Sequence, residues 1–230
     1  MARTLTVLFA SRRLAVMFVC GGVVLLSAGL QRLSADDSAR KCFDLAVPVT
    51  EPLHPPIPLI DGRDNTAFAT YPDGIDWAAA RGVIREPIEV VYSRLLDHRN
   101  LKDMSKTKLE TQVFKRPGLL EYHLVSVAVT LNVVFFKKTI TWSEEWGFSL
   151  AGGTRERPEK IVASYQKLDG TKYLQHQCGS YVLQRLPTGF TDISLYEEVR
   201  ASHRSARDTL NMHLGNLRNL RAGVTPGVAP

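Results

Sequence analysis

Side chains that could carry out acid–base or metal chemistry are scattered along the chain rather than gathered in a motif. No two of the six histidines lie three or four positions apart, and no cysteine accompanies them at metal-ligand spacing. The G-x-S-x-G elbow, the P-loop and the G-x-G-x-x-G fingerprint do not occur in the sequence. The sequence therefore predicts neither a metal site nor a cofactor, and it offers no recognised catalytic motif.

A second set of titratable residues falls on predicted strands and could meet inside a cavity. The set comprises Tyr122, His176, Tyr181, Tyr196 and Glu198, together with His213 on the last predicted helix. A histidine or tyrosine aimed into an apolar pocket can orient a ligand's hydroxyl or carbonyl group, or move a proton. For each residue a half-exposed sheet position is the favoured interpretation, because solvated strand faces commonly carry such side chains.

The chain contains three cysteines, of which Cys20 belongs to an apolar N-terminal run. Cys42 and Cys178 are then a disulfide candidate, since pairing is common in oxidising compartments. The alternative is that Cys178 is a small buried residue and Cys42 an unpaired thiol. We favour the unpaired interpretation here, because sequence alone does not fix connectivity.

The N-terminus has the pattern of a targeting or anchoring segment. Arg12 and Arg13 precede residues 14–30, which form an uncharged, mainly apolar run. Its length lies near the lower limit for a spanning helix, so residues 1–30 are either a signal peptide or an N-terminal membrane anchor. Both alternatives predict an exported protein, periplasmic or otherwise extracytoplasmic, which residues 14–30 could anchor to the membrane.

The basic charge of the chain is concentrated in this leader. The net charge is +6, but residues 1–35 contain four arginines and no acid. The remaining 25 basic residues face 23 acidic ones, which leaves a net charge of +2. A nearly neutral domain gives no electrostatic reason to expect a nucleic-acid partner.

The rest of the chain divides into a linker, one domain and a tail. Residues 31–74 are rich in proline and turn residues, which predicts an extended linker. Residues 75–222 predict a strand, a helix that begins after Pro87, a second short helical turn, six further strands and one long helix. Short turns between strands require antiparallel neighbours. Gly223 and Pro226 end the last helix, so residues 223–230 are predicted to be a flexible tail.

This order of elements resembles the START-like, or SRPBCC, superfamily. The residues that carry the resemblance are 80–92, a strand followed by a helix opening at Pro87, and 210–220, a leucine-rich closing helix. The resemblance implies an α+β helix-grip fold: a curved antiparallel sheet of about seven strands around a long C-terminal helix, with two short helices after the first strand. Members of the superfamily mostly bind hydrophobic ligands such as lipids, sterols or polyketides, and a minority are cyclases or hydrolases.

A cavity between the sheet and the last helix would be the binding site in such a fold. The predicted lining residues are Val125, Val127, Val129, Ile140, Trp142, His176, Tyr181, Leu210, His213, Leu214 and Leu217. For any one of them, a place in a solid core is the alternative. We therefore expect binding, and possible transfer, of a hydrophobic, lipid-like small molecule, with no catalytic residue assigned. A cyclase- or hydrolase-type enzyme and a protein-interaction module with a filled core are the alternatives.

One apolar segment is a candidate for contact with a membrane surface. It consists of Val133, Val134, Phe135, Phe136, Lys137 and Lys138. If a hairpin turns here, four apolar side chains lie at its tip beside two lysines, which suits an anionic bilayer. Burial within a strand is the alternative, and the absence of turn residues favours it.

Overall fold

The structure is a computed structural model that describes residues 41–60, 63–133, 136–202 and 204–223. The predicted leader, residues 1–30, lies outside the described residues, as do residues 31–40 of the predicted linker and residues 224–230 of the predicted tail. Within the described ranges, no helix is both long and apolar enough to cross a membrane. Export and anchoring therefore stay predictions.

Eight antiparallel strands form one curved sheet. They are β1 (Asn65–Thr70), β2 (Asp76–Ile84), β3 (Thr107–Phe114), β4 (Glu121–Val133), β5 (Phe136–Gly153), β6 (Pro158–Gly170), β7 (Leu174–Arg185) and β8 (Thr191–Ala201). Their order across the sheet is β1-β2-β8-β7-β6-β5-β4-β3. The strands from β3 to β8 therefore follow one another as hairpins, while β8 closes the run by pairing with β2.

Within the described ranges, two helices and a short 3-10 helix accompany the sheet. Helix α1 (Ile88–Leu96) and the 3-10 helix (His98–Leu101) follow β2, and α2 (Ala206–Ala222) ends the domain. Helix α2 begins with a capping box, in which Ser205 and Asp208 bind each other's backbone N–H. It ends at Gly223, whose left-handed conformation (φ 62°) lets its N–H reach the carbonyl of Asn219.

The chain has the α+β helix-grip fold that the sequence predicts, with eight strands where about seven were expected. The additional strand is β1, which lies inside the predicted linker, residues 31–74. Most of its side chains are exposed, so its sequence lacks the alternation of apolar and polar residues that marks a half-buried strand. Its backbone pairs with β2 from Asn65 to Thr70, and this pairing holds it at the edge of the sheet.

Residues 41–60, which we call the strap, lie against the sheet. Side chains of the sheet accept hydrogen bonds from the strap's backbone: Gln166 from Cys42 and Phe43, Ser149 from Val49, and Ser180 from Leu53. Leu45 is 2% exposed and packs with Leu119 and Tyr122 in a small second core. The prediction of a linker is wrong for these residues, because their proline-rich backbone finds its partners among polar side chains of the sheet.

Cys42 of the strap forms a disulfide with Cys178 of β7, with 6.3 Å between the two Cα atoms. The structure thus differs from the unpaired interpretation favoured in the sequence analysis. The pairing could not be read from the sequence, because the two residues are 136 positions apart and only the course of the strap brings them together.

The main core and the strap lie on opposite faces of the sheet. Alternate residues of a strand point to opposite faces, so Tyr181 and Leu183 of β7 face the main core, while Ser180 faces the strap. The main core joins apolar residues of α1, α2 and strands β4 to β8. Its largest fully buried side chains include Trp146, Tyr165, Tyr181 and Phe148.

Candidate functional site

A pocket of about 890 Å³ opens between α2, strands β4 and β5, and the segment that follows the 3-10 helix. Its apolar walls are Leu101, Met104, Val129, Trp142 and Met212. Its other lining residues are Lys102, Asp103, Ser105, Thr107, Gln177, Arg204, Gly215, Asn216 and Asn219. An apolar concavity of this size with a few polar groups has the dimensions typical of a small-molecule site.

The pocket exists partly because one face of α2 carries a glycine and two asparagines beside a single methionine. Met212, Gly215, Asn216 and Asn219 are spaced to lie on one face of the helix, and all four line the pocket. A Cβ atom built on Gly215 would meet no atom within 4 Å. Glycine in the middle of a helix costs about 1 kcal/mol relative to alanine, so open space here comes with a local loss of helix stability.

A buried ion pair forms one part of the polar wall. Glu144 is fully buried, and its carboxylate accepts hydrogen bonds from Lys102 Nζ (2.8 Å), Trp142 Nε1 (2.7 Å) and Trp146 Nε1 (3.0 Å). Burial alone would raise the pKa of Glu144, but the charge of Lys102 and these three donors lower it. Glu144, which does not line the pocket itself, thereby holds Lys102 at the pocket wall.

A second buried carboxylate, Glu197, holds the opposite side of the pocket. It accepts hydrogen bonds from Tyr165 Oη (2.5 Å) and from Arg204 Nη2 (3.1 Å), with Gln177 Nε2 at 3.4 Å. Burial, followed by the negative charge of Glu197, raises the pKa of Tyr165 well above its ordinary value, so Tyr165 is the donor in this pair. Arg204 precedes α2, and this ion pair fastens the start of that helix to β8.

Among the described residues, one polar atom of the pocket lining lacks a hydrogen-bond partner. Gln177 is 4% exposed, and its Oε1 makes no hydrogen bond among the described residues. Its amide orientation is set by Glu197, since the carboxylate can only accept and must therefore face Nε2. A buried acceptor without a donor is costly, and Gln177 belongs to the residues that line the pocket.

The predicted lining residues divide between the pocket and the solid core. Val129 and Trp142 line the pocket. Buried elsewhere are Val125, Val127, Tyr181, Leu210, His213 and Leu217, while Ile140 and Leu214 are half-buried and do not line it. The structure differs from the prediction at His176, which does not line the pocket. It lies on the opposite face of the sheet, beside the disulfide and Glu198.

The titratable candidates inside the core are held away from the pocket. Tyr181 Oη lies 2.9 Å from the side-chain amide of Asn216. His213 is completely buried, and burial lowers its pKa to about 4. The negative charge of Glu197, and after it the backbone of Ala78, oppose part of this lowering of the pKa. Neither ring nitrogen has a well-formed hydrogen bond among the described residues. These contacts indicate structural roles for both side chains.

The candidate membrane segment lies at the β4–β5 hairpin. Val133 pairs with Phe136 across the hairpin, and Val134 and Phe135 between them lie outside the described residues. Lys137 is exposed, while Lys138 contacts the hydroxyl and the ring of Tyr173. Membrane contact by these six residues stays a prediction.

The residues that shape the pocket were mostly absent from the sequence prediction. The prediction did not include Gly215, Asn216 and Gln177, because it rested on the periodic pattern of apolar side chains. Glu144 and Glu197 were missed because acids on strands are usually solvated. One signal was available for Glu144: on one strand face, Trp142 and Trp146 flank it two positions away on each side.

No protein-family model matches the chain, and no curated protein matches it. Solved structures with a similar fold include the lipid transfer and protein localization domain of human StarD13, at 11% identity and a TM-score of 0.49, covering 72% of this chain and 86% of that one. The Zhui aromatase/cyclase from Streptomyces sp. R1128 has 15% identity and a TM-score of 0.45, covering 65% and 93%.

A third similar structure is a STAR-related lipid transfer protein fragment from Xanthomonas axonopodis, at 13% identity and a TM-score of 0.43, covering 71% of this chain and 98% of that one. At identities this low and TM-scores below 0.5, these structures carry no argument about this chain, so the function of the pocket has to be argued from its own residues.

Proposed function

We propose that this protein binds a hydrophobic, lipid-like small molecule in the pocket between α2 and the β4–β5 end of the sheet. The observation that carries the proposal is the apolar opening of about 890 Å³ into which Gly215 presents no side chain. Sites for small molecules commonly have volumes of about 300–1,000 Å³ and mostly apolar walls. A chain or ring system could therefore lie against Val129, Trp142 and Met212.

The polar end of the pocket favours a ligand that carries a hydroxyl group. Gln177 Oε1 is buried without a donor among the described residues, so a ligand hydroxyl would supply one once this side chain turns toward the pocket. A carboxylate or phosphate would instead meet this acceptor with a further acceptor. The charges of Lys102 and Arg204 do not reverse the preference, because Glu144 and Glu197 already neutralise them. We therefore propose a neutral alcohol, such as a long-chain or ring-bearing one, over a fatty acid.

Catalysis of the cyclase or hydrolase type receives less support. Among the described residues that line the pocket there is no histidine, cysteine or tyrosine. The carboxylates of Glu144 and Glu197 lie behind Lys102 and Arg204, and each already accepts hydrogen bonds from several donors. A general base needs reach to a substrate proton, and these groups are already engaged. An interaction module with a completely filled core would leave the pocket unexplained.

Export and membrane association belong to the same proposal. The basic and apolar leader supports secretion across a membrane. The disulfide between Cys42 and Cys178 supports an oxidising compartment, where such bonds persist. A membrane-tethered domain would meet lipid-like molecules at the surface from which they are taken.

Binding of a fluorescent long-chain alcohol to the full chain tests the proposal. The strap and β1 must be retained, because residues 41–60 lie against one face of the sheet and Asn65–Thr70 form its edge strand. Gly215→Phe should abolish binding by filling the pocket, whereas Gly215→Ala should bind normally. Gln177→Leu should weaken alcohol binding by about 2–13-fold, as expected for the loss of a single hydrogen bond. Equal binding by Gly215→Phe and Gly215→Ala would place the ligand elsewhere.

A further inference from the structure

Four potential metal ligands converge on the face of the sheet opposite the pocket. His176 Nε2 lies 3.4 Å from Cys178 Sγ, 3.8 Å from Cys42 Sγ and 3.7 Å from Glu198 Oε2. The ligand atoms of Cys42, His176 and Cys178 all lie within 4.8 Å of one another. His176 and Cys178 are buried, while Cys42 and Glu198 keep part of their surface exposed, so the cluster can be reached from solvent.

Strand geometry explains why three of these residues meet. His176 and Cys178 are two positions apart on β7, so both side chains point to the same face. Glu198 is the direct neighbour of Cys178 across the β7–β8 pairing, which places its side chain beside the sulfur. The spacing of one residue between a histidine and a cysteine is not a usual metal motif along the chain, but on a strand it aligns two ligands.

The fourth residue, Cys42, is positioned by contacts other than the disulfide. Gln166 Oε1 accepts hydrogen bonds from the backbone N–H groups of Cys42 (2.8 Å) and Phe43 (3.0 Å). Gln166 Nε2 donates to the carbonyl of Phe43 at 2.9 Å, and Leu45 packs into the second core. This part of the strap would therefore stay at β7 when the disulfide is reduced.

The nitrogen–sulfur distances at His176 match the edges of a tetrahedral zinc site, and the two sulfurs would move apart once the disulfide is reduced. With Zn–S of ~2.3 Å and Zn–N of ~2.0–2.1 Å, the nitrogen and sulfur ligands of a tetrahedron lie about 3.6 Å apart. The two observed separations, 3.4 Å and 3.8 Å, lie on either side of that value. Tyr196 donates to Glu198 Oε1 at 3.1 Å, and such an outer-shell hydrogen bond would orient the carboxylate.

We propose that in the reduced protein Cys42, His176, Cys178 and Glu198 form a Zn²⁺ site that replaces the disulfide. A dithiol reductant transfers two electrons and two protons to the disulfide, giving two thiols in the protein and a disulfide in the reductant. Zinc binding then displaces both thiol protons, because thiolates are the ligands. The disulfide and the metal are mutually exclusive, and each attaches the strap to β7. This proposal is independent of any ligand in the pocket.

Cobalt titration of the full chain tests the site. Cys20→Ser removes the third thiol, and the protein is reduced with a dithiol and desalted without oxygen. We expect one Co²⁺ per chain, with the visible bands of tetrahedral cobalt and a near-ultraviolet band from thiolate ligation, and displacement of Co²⁺ by Zn²⁺. The oxidised protein should show neither band. A reduced protein that takes up no Co²⁺, or takes it up without the thiolate band, would overturn the proposal.

Matched variants identify the ligands. Cys42→Ser should remove most of the thiolate band, and it lies outside the main core. His176→Asn should weaken Co²⁺ binding by at least about 10–100-fold, the range seen when even outer-shell groups are lost. His54→Asn is the control, since this histidine also lies on the sheet's strap side, against Tyr196, but outside the cluster. Equal weakening by His176→Asn and His54→Asn would contradict the assignment.

A second measurement guards against variants that fold poorly. Zn²⁺ should raise the unfolding temperature of the reduced protein and leave that of the oxidised protein unchanged, because only the reduced form offers two thiolates. The comparison needs no substitution in the cluster. Equal stabilisation of both redox forms would show that zinc binds elsewhere, and no stabilisation of either form would overturn the proposal.

Discussion

The interface between α2 and the sheet has a closed half and an open half. In the closed half, next to α1, the ring of Trp146 stacks on Tyr165 at 4.2 Å, and Phe148 and Tyr181 complete an aromatic cluster. In the open half, next to residues 101–107, Val129 and Gly215 face the pocket. Both halves use the same sheet face and the same helix, so the size of the inward side chains decides which half is filled.

A polar layer separates the two halves. Glu144 accepts a hydrogen bond from Trp146, which belongs to the closed half, and another from Trp142, which lines the pocket. Glu197 likewise joins Tyr165 in the closed half to Arg204 at the pocket. Buried acids are tolerated when hydrogen bonds and opposite charges compensate them. The comparison teaches that one carboxylate can serve both the stability of a core and the shape of a site.

The two tryptophans that share Glu144 offer the strongest test of this division. Trp146→Ala should lower the free energy of unfolding by about 3–5 kcal/mol, because it leaves a cavity in a packed core. Trp142→Ala should cost less, about 1.5–3 kcal/mol, since it mainly removes a hydrogen bond to a charged group. Urea unfolding of both variants measures the difference. Equal losses would mean that the open half is as tightly packed as the closed half.

Acid sensitivity tests whether the closed half excludes water. Burial, with a contribution from His123, lowers the pKa of His98 to about 3, and burial lowers that of His213 to about 4. Both are neutral in the folded state at pH 5, whereas in the unfolded chain they take up protons below about pH 6.5. Stability should therefore fall as the pH drops from 7 to 5, by about 2 kcal/mol for each histidine.

Urea unfolding across this pH range measures the loss, and single substitutions assign it. His213→Gln should remove about half of the pH dependence, because one of the two buried imidazoles is gone. The exposed His54 lies outside the core, so His54→Gln should leave the dependence unchanged. An unchanged slope in His213→Gln would show that the side chain accepts a proton in the folded protein and that water reaches it.

The sequence predicted those features of the fold that depend on periodic patterns and chain ends. The alternation of Val125, Val127 and Val129 predicts a strand with one apolar face, and the structure packs all three against the main core. The helix end at Gly223 follows from its left-handed conformation. These features are local, so a single stretch of sequence contains the whole reason for them.

Features that depend on contacts between distant segments were not predictable. The strap is proline-rich, and its own composition does not show where its backbone finds partners. Those partners are the side chains of Gln166, Ser149 and Ser180 on the sheet, which accept hydrogen bonds from its N–H groups. The pocket depends on the lack of a side chain at Gly215. A glycine adds nothing to the pattern of apolar residues, so that pattern does not predict a pocket. Among the predicted lining residues, only Val129 and Trp142 line the pocket. The predicted leucines of α2 that are buried, Leu210 and Leu217, lie away from it.

Two glycines give the finest test of the difference between the halves. Gly215 lies in the open half, and a Cβ atom there meets nothing within 4 Å, so Gly215→Ala should stabilise the protein by about 0.5–1 kcal/mol through helix propensity. Gly179 lies in the closed half, where a Cβ atom would come within 2.6 Å of Tyr165 Cζ. Gly179→Ala should therefore destabilise the protein, by about 1–3 kcal/mol. Urea unfolding measures both changes in the free energy of unfolding. Changes of opposite sign would support open space at Gly215 and packed space at Gly179. Changes of the same sign would contradict the division into an open and a closed half.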